Sequence, residues 1–256
     1  MTSASRAGWA AVLATAIASA AFVATGIFVV RGLTDLKNAS DVINVTGSAR
    51  RSITSDLAVW TFTVRSESED SLQAAYAQFR AAQPALDRFV RGQNFSAEEL
   101  RREPVSAAPE TYTVIETIGG ENEEVERTRY VVSQAYRAQS GDIAKIQTAV
   151  GAATASFVDA STGGVTVESG AISYLYTKLA DVRLALLKDA SQDAQRRAQA
   201  IAESAGNEVG AVKNARMGVF QITPRFETSV EDSGSYDTRS LEKDVTAVVE
   251  IDFVVR

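Results

Sequence analysis

The stretch Leu187–Val212, LKDASQDAQRRAQAIAESAGNEVGAV, restricts the fold more than any other. Taken with the residues before it, Leu179, Val182, Leu186, Ala190, Ala194, Ala198, Ile201 and Ala205 recur every three or four positions. That spacing predicts one helix from Lys178 to Ala205 with a single apolar stripe. Most of the stripe is alanine, so the helix axis can come very close to its partner, a sheet face or another helix. The opposite face carries Lys188, Gln192, Gln195, Arg196, Gln199 and Glu203. Asp193 and Arg197 stand at i, i+4 and can pair, which contributes about 0.3–0.5 kcal/mol. Gly206 is expected to stop the helix, and Asn207 to begin the turn. The helix is first a packing element; its candidate interaction surface is the Arg196–Arg197 pair.

Strand patterns surround it. Val42–Ala49 alternates, and DLAVWTFTVRSE puts Trp60, Phe62 and Val64 on one face with Thr61 and Thr63 on the other. The tight ITSD connection predicts that these two runs form a hairpin. A helix is expected from Ser68 to Val90, kinked or split by Pro84 and ended by Gly92. TYTVIETI and ERTRYVVSQAYRA flank GGENEEV as a second hairpin. GDIAKIQTAVGAA reads as a short helix with Asp142 near its start. GVTVESGAISYLYT reads as one long strand, and EVGAVKNARMGVFQIT as another that ends at Pro224. Arg225–Leu241 reads as an exposed loop, and KDVTAVVEIDFVV as a terminal strand. Long antiparallel strands with helices on one face make an α+β domain. A weak duplication into two sheet-plus-helix halves would join near Ser140.

The N-terminus is of another kind. Trp9–Val30 is a run of 22 residues without a charge. As a helix it would span about 33 Å, the thickness of a hydrocarbon core. Arg6 and Arg31 flank it, and Trp9 sits where an interfacial aromatic belongs. Ala18–Ala20 also offers a secretory cleavage site. The uncleaved signal-anchor is the reading adopted, because the apolar run continues well past that site. The organisation is then a cytoplasmic N-terminus (1–8), a transmembrane signal-anchor (9–30), a linker (31–41) and an exported domain (42–256). A lipid anchor on cysteine is excluded.

Composition narrows the chemistry. The chain has no cysteine and no histidine. Disulfides, Cys/His zinc sites and Ser-His-Asp or Cys-His nucleophile systems are therefore excluded. The net charge is −6, so no basic excess exists to neutralise nucleic-acid phosphates. The six lysines fall in no phosphate-loop pattern. Glu121, Glu123, Glu124 and Glu126 make an acidic hairpin tip that lacks EF-hand spacing and is read as solvated. Tyr112, Tyr130, Tyr136, Tyr174 and Tyr176 lie on expected strands and are read as core or cross-strand residues rather than a ligand groove. No catalytic, cofactor or metal residue is assigned.

Three stretches resemble the SIMPL domain family. The first is VTGSARRSITSDLAVWTFTVRSE, where Gly47, Asp56, Ala58 and Val64 match and Ser55 stands in place of the usual proline. The second is GGVTVESGAISYLYT ahead of the long helix. The third is the series Ala190, Ala194, Arg197, Ala198, Ala202, Gly206, Gly210 and Val212. The resemblance covers Val42–Arg256. It implies a bacterial envelope or periplasmic domain of α+β fold, in a family with ring-like homo-oligomers and members linked to oxidative-stress tolerance. It implies no catalytic residue. The expectation is an inner-membrane, single-pass protein with a non-enzymatic scaffold domain in the periplasm, forming homo-oligomers or binding an envelope protein. A periplasmic small-ligand sensor and a carboxylate-based hydrolase are the alternatives.

Overall fold

A computed structural model describes residues 25–26, 42–118, 120–161, 164–227 and 234–256. Among them are ten strands and three helices in an α+β arrangement with antiparallel pairing. In chain order these are β1 (Val42–Thr54), β2 (Leu57–Ser68), α1 (Leu72–Gly92), β3 (Leu100–Arg102), β4 (Ser106–Ile118) and β5 (Glu121–Ser140). There follow α2 (Ile143–Ala160), β6 (Val165–Ser169), β7 (Ser173–Leu175), α3 (Leu179–Ser204), β8 (Val209–Met217), β9 (Gln221–Pro224) and β10 (Glu242–Val255). The expected membrane segment, apart from residues 25–26, lies outside the described residues, among which no helix is long and apolar enough to cross a membrane.

The chain divides into two compact units. One comprises Arg51–Val182 and Gln221–Val245; the other comprises Met1–Arg50, Arg183–Phe220 and Thr246–Arg256. The first holds a six-stranded sheet of order β3-β5-β2-β6, with β4 also on β5 and β7 also on β2. Its centre is β2, where Trp60, Phe62, Val64 and Ser66 are buried on one face. Helices α1 and α2 close that face with Ala75, Phe79, Leu86, Phe89, Ile146, Ala149, Ala153 and Phe157. The rings form one cluster: Phe62 stacks on Tyr136 at 4.7 Å and meets Phe157 at 5.1 Å, and Phe89 meets Phe157 edge-on at 5.3 Å. Each such side chain contributes about 1.5–3 kcal/mol by leaving water. The buried polar groups on β2 are satisfied: Ser66 Oγ donates to the Ala75 carbonyl at 2.8 Å and Trp60 Nε1 to Ser169 Oγ at 3.0 Å.

Ser71 caps α1 by accepting from the Ala74 N–H at 3.2 Å. Pro84 does not split the helix; it sits on the solvent side. The expected short helix at Asp142 is longer than its apolar pattern suggested, running to Ala160, and Asp142 caps it through the Lys145 N–H at 3.1 Å. The expected long strand before α3 is two short ones, β6 and β7, both antiparallel to β2 and separated by a break at Gly170. A side chain there would meet the Thr61 carbonyl at 2.9 Å.

The second unit holds α3 and most of a four-stranded sheet of order β1-β10-β8, with β9 also on β10. The predicted β1–β2 hairpin is corrected here: β1 pairs with β10, and β2 belongs to the other sheet. The expected strand to Pro224 is also two, β8 and β9. The two units do not divide at Ser140, because both are assembled from interleaved pieces of chain. On α3 the buried stripe is Leu186, Ala190, Ala194, Ala198 and Ala202, while Ile201 is exposed. A Cβ added to Gly47 on β1 would lie 2.2 Å from the Ala190 carbonyl and 2.5 Å from the Ala194 nitrogen. Helix and strand backbones are thus in direct contact, as the alanine stripe allows. The helix ends as expected: Gly206 takes φ +76°, its N–H reaches the Glu203 carbonyl at 3.1 Å, and the Asn207 N–H reaches Ala202 at 2.9 Å.

Candidate functional site

The outer face of α3 and strand β8 present the most unusual surface of their unit. Asp193 accepts from the Ser48 N–H at 3.1 Å on one oxygen and pairs with Arg197 at 2.8 Å and Arg196 at 3.6 Å. The Ser48 bond first, and the two guanidinium groups with it, hold the Asp193 carboxyl below its usual range. The arginine side chains remain 72% and 56% exposed. The predicted Asp193–Arg197 pair therefore forms, and both guanidinium groups reach into solvent with donors to spare.

Strand β8 was not singled out by its sequence. From Ala211 to Met217 every residue is exposed, on both faces of the strand. On β10 the stripe Ala247, Val249, Ile251 and Phe253 is buried. Directly opposed residues of an antiparallel pair share a face. Met217 opposes Val249 and Ala215 opposes Ile251, so both lie on that same face, yet both are exposed. The face is covered over β10 and bare over β8. Val212, Met217 and Val219 stand in solvent at 56%, 61% and 48% exposure. Among the described residues β8 pairs only with β10, so its outer row of backbone groups is unpaired.

In the other unit several charged groups are paired with one another. Arg65 and Arg129 alternate with Glu67 and Glu110 in a closed ring with contacts of 2.6–3.0 Å. Arg129 and then Arg65, outweighing partial desolvation, keep the Glu110 carboxyl below its ordinary value. Glu99 binds Lys145 Nζ at 2.6 Å and accepts from Ser140 Oγ at 2.6 Å. Asp56 accepts from the Thr177 N–H at 2.7 Å and hydroxyl at 2.8 Å, tying the end of β1 to the entrance of α3. Burial pushes Asp56 upward, but these two bonds outweigh it and the group is lowered. Lys243 is 2% exposed; its Nζ donates to the Asp237 carbonyl at 2.5 Å and lies 3.5 Å from the Asp237 carboxylate. Burial pushes its ammonium down.

The acidic hairpin tip is spread along the β4–β5 ladder, with Glu123 opposite Glu116 and Glu126 opposite Thr113. Among the described residues no three Asp or Glu side chains converge as metal ligands. The tyrosines do not share a groove. Tyr136 is buried in the aromatic cluster, Tyr112 donates to Glu69 at 2.5 Å beneath Arg129, and the Tyr174 hydroxyl accepts from Gln147 at 3.0 Å. Tyr130 packs against the core, and Tyr176 is half-buried just after β7.

Residues 43–253 match the profile of SIMPL, described as a protein of unknown function (DUF541). No curated protein matches the chain significantly. Among solved structures, a protein assigned as an aminohydrolase from methicillin-resistant Staphylococcus aureus is 12% identical with a TM-score of 0.21. The match covers 58% of this chain and 39% of that one, so the chain spans well under half of its length. A hydrolase from Listeria innocua is 10% identical with a TM-score of 0.18, over 81% of this chain and 91% of that one. At such scores neither likeness carries an argument.

Proposed function

The chain belongs to the SIMPL family, and on that premise we propose a membrane-anchored periplasmic interaction domain that acts by binding copies of itself or an envelope partner, not by catalysis. The observation that carries this reading is the bare β8 edge. A strand exposed on both faces, with Val212 and Met217 standing among Lys213, Asn214 and Arg216 and with an unpaired row of backbone donors and acceptors, offers an edge that another chain can cover. Arg196 and Arg197 add exposed donors on α3 of the same unit. The uncharged run Trp9–Val30 supplies the anchor, and a role in envelope or oxidative-stress tolerance accords with the family.

Light scattering on the full chain in detergent tests it. Oligomers are expected at tens of micromolar. Val212→Asp and Met217→Asp should shift the chain to monomer without lowering its melting temperature, since neither residue is buried. A wild-type chain that stays strictly monomeric sinks the self-association.

A further inference from the structure

We propose that the groove between α1 and strand β4 binds an extended peptide that adds a strand to the sheet and places a carboxylate on Arg80. Helix α1 buries Ala75, Phe79, Ala82, Leu86 and Phe89, and its flank carries Leu72, Tyr76 and Arg80 at i, i+4 and i+8. Leu72 and Tyr76 remain 36% and 45% exposed. The groove they line has a volume of about 440 Å³, with Ala107 of β4 on its other side. Ala107 opposes Val132, which is fully buried, so Ala107 faces the helix side of the sheet. Its methyl group leaves a shelf over the strand, and α1 forms the wall.

Two further features select the occupant. Among the described residues β4 pairs with β5 alone, so a row of N–H and C=O groups is open along a strand of 13 residues. A lipid or small apolar molecule would leave that row unused; an extended peptide would fill it by strand addition. Arg80 is the one charged residue in the lining, and its side chain makes no ion pair or hydrogen bond among the described residues. Three carboxylates on or beside β4 are engaged with other partners: Glu110 with Arg65 and Arg129, Glu116 with Arg127, Glu69 with Tyr112. The matching ligand has apolar side chains at alternate positions, one set entering the groove, and a side-chain or terminal carboxylate at the Arg80 end. This site belongs to the unit that lacks the β8 edge, so it stands or falls apart from self-association.

The test is selection of phage-displayed decapeptides with free C-termini on the full chain in detergent, followed by fluorescence anisotropy with the enriched peptides. Enrichment of alternating apolar residues with an acidic or terminal carboxylate is expected. Arg80→Glu should weaken binding at least tenfold, and Ala107→Trp, which fills the shelf, should abolish it. Both variants are checked by thermal melting, and Arg80→Glu, at an exposed position, carries the conclusion if Ala107→Trp does not fold. The proposal is overturned if no such pattern is enriched, or if the selected peptides bind Arg80→Glu as they bind the wild type. It is also overturned if the groove proves to hold a second copy, seen as a dimer that Ala107→Trp converts to monomer.

Discussion

Gly47 and Ser55 show how much one position can decide. At Gly47 the β1 backbone touches the α3 backbone, and a Cβ would stand 2.2 Å from a carbonyl oxygen that cannot move without its helix. Gly47→Ala is therefore expected to cost about 3 kcal/mol, a fall in melting temperature of roughly 6–12 °C. Little change in the melt would mean that α3 can lift from the strand. Ser55 is the opposite case. It is 3% exposed and its hydroxyl has no hydrogen-bond partner among the described residues, while its N–H donates to the Leu241 carbonyl at 2.9 Å. The buried orphan hydroxyl is a cost of about 1 kcal/mol or more. Ser55→Ala should raise the melting temperature by roughly 2–4 °C. Ser55→Pro, which restores the residue usual in the family, should lower it, because the bond to Leu241 is lost. A Ser55→Ala protein less stable than wild type would show that the hydroxyl has a partner after all. Gly47 was visible in the sequence as a family match; what it touches was not, because its contact lies more than 140 residues away along the chain.

Elements are held by polar ties as well as by packing. The segment between α1 and β3 is tied to α2 through Glu99, which accepts from Lys145 Nζ, Ser140 Oγ and, at 3.0 Å, the Ser96 N–H. Lys145 also donates to the Asn94 carbonyl at 2.9 Å. The Lys145 bond is the largest cause, with those from Ser140 and Ser96, that brings the Glu99 carboxyl from 4.5 down to about 2. A carboxylate lowered on folding stabilises the folded state above its unfolded pKa. That stabilisation is lost as pH falls from 4.5 towards 2. Solvent reaches about a quarter of each side chain, so the contribution is on the order of 1 kcal/mol. Urea unfolding at pH 6 and pH 3 should show a loss in the wild type that Lys145→Met largely removes; an equal loss in both would exclude this tie as its source. The existence of most elements was legible, because a period of two or 3.6 residues survives in any context. The β4–β5 hairpin, α3 and β10 follow it closely. Pairing was less legible. Alternation announces that β1 and β2 are strands, but nothing in ITSD says that the two enter different sheets.

At the scale of the molecule, the two units share three continuous elements, since the divisions fall within β1, α3 and β10. A contiguous reading could only find one domain or halves in series, and so it expected a duplication at Ser140. The surfaces available for binding also emerge at this scale. The two arginines proposed for contact are indeed exposed, but β8 and the α1–β4 groove depend on which strand ends a sheet and how far a helix extends over it. If β8 is the assembly edge, the concentration dependence of oligomers should disappear with Val212→Asp while the Arg80 groove keeps its ligand. By itself the sequence determined the α+β class, the SIMPL membership, the close approach of α3 and the absence of Cys- and His-based chemistry, because periodicity, small-residue spacing and composition are local properties of the chain. Only the tertiary structure decided which strands pair, where β8 and β4 leave their edges open, and which carboxylates are already neutralised, because each of these depends on residues brought together from distant parts of the sequence.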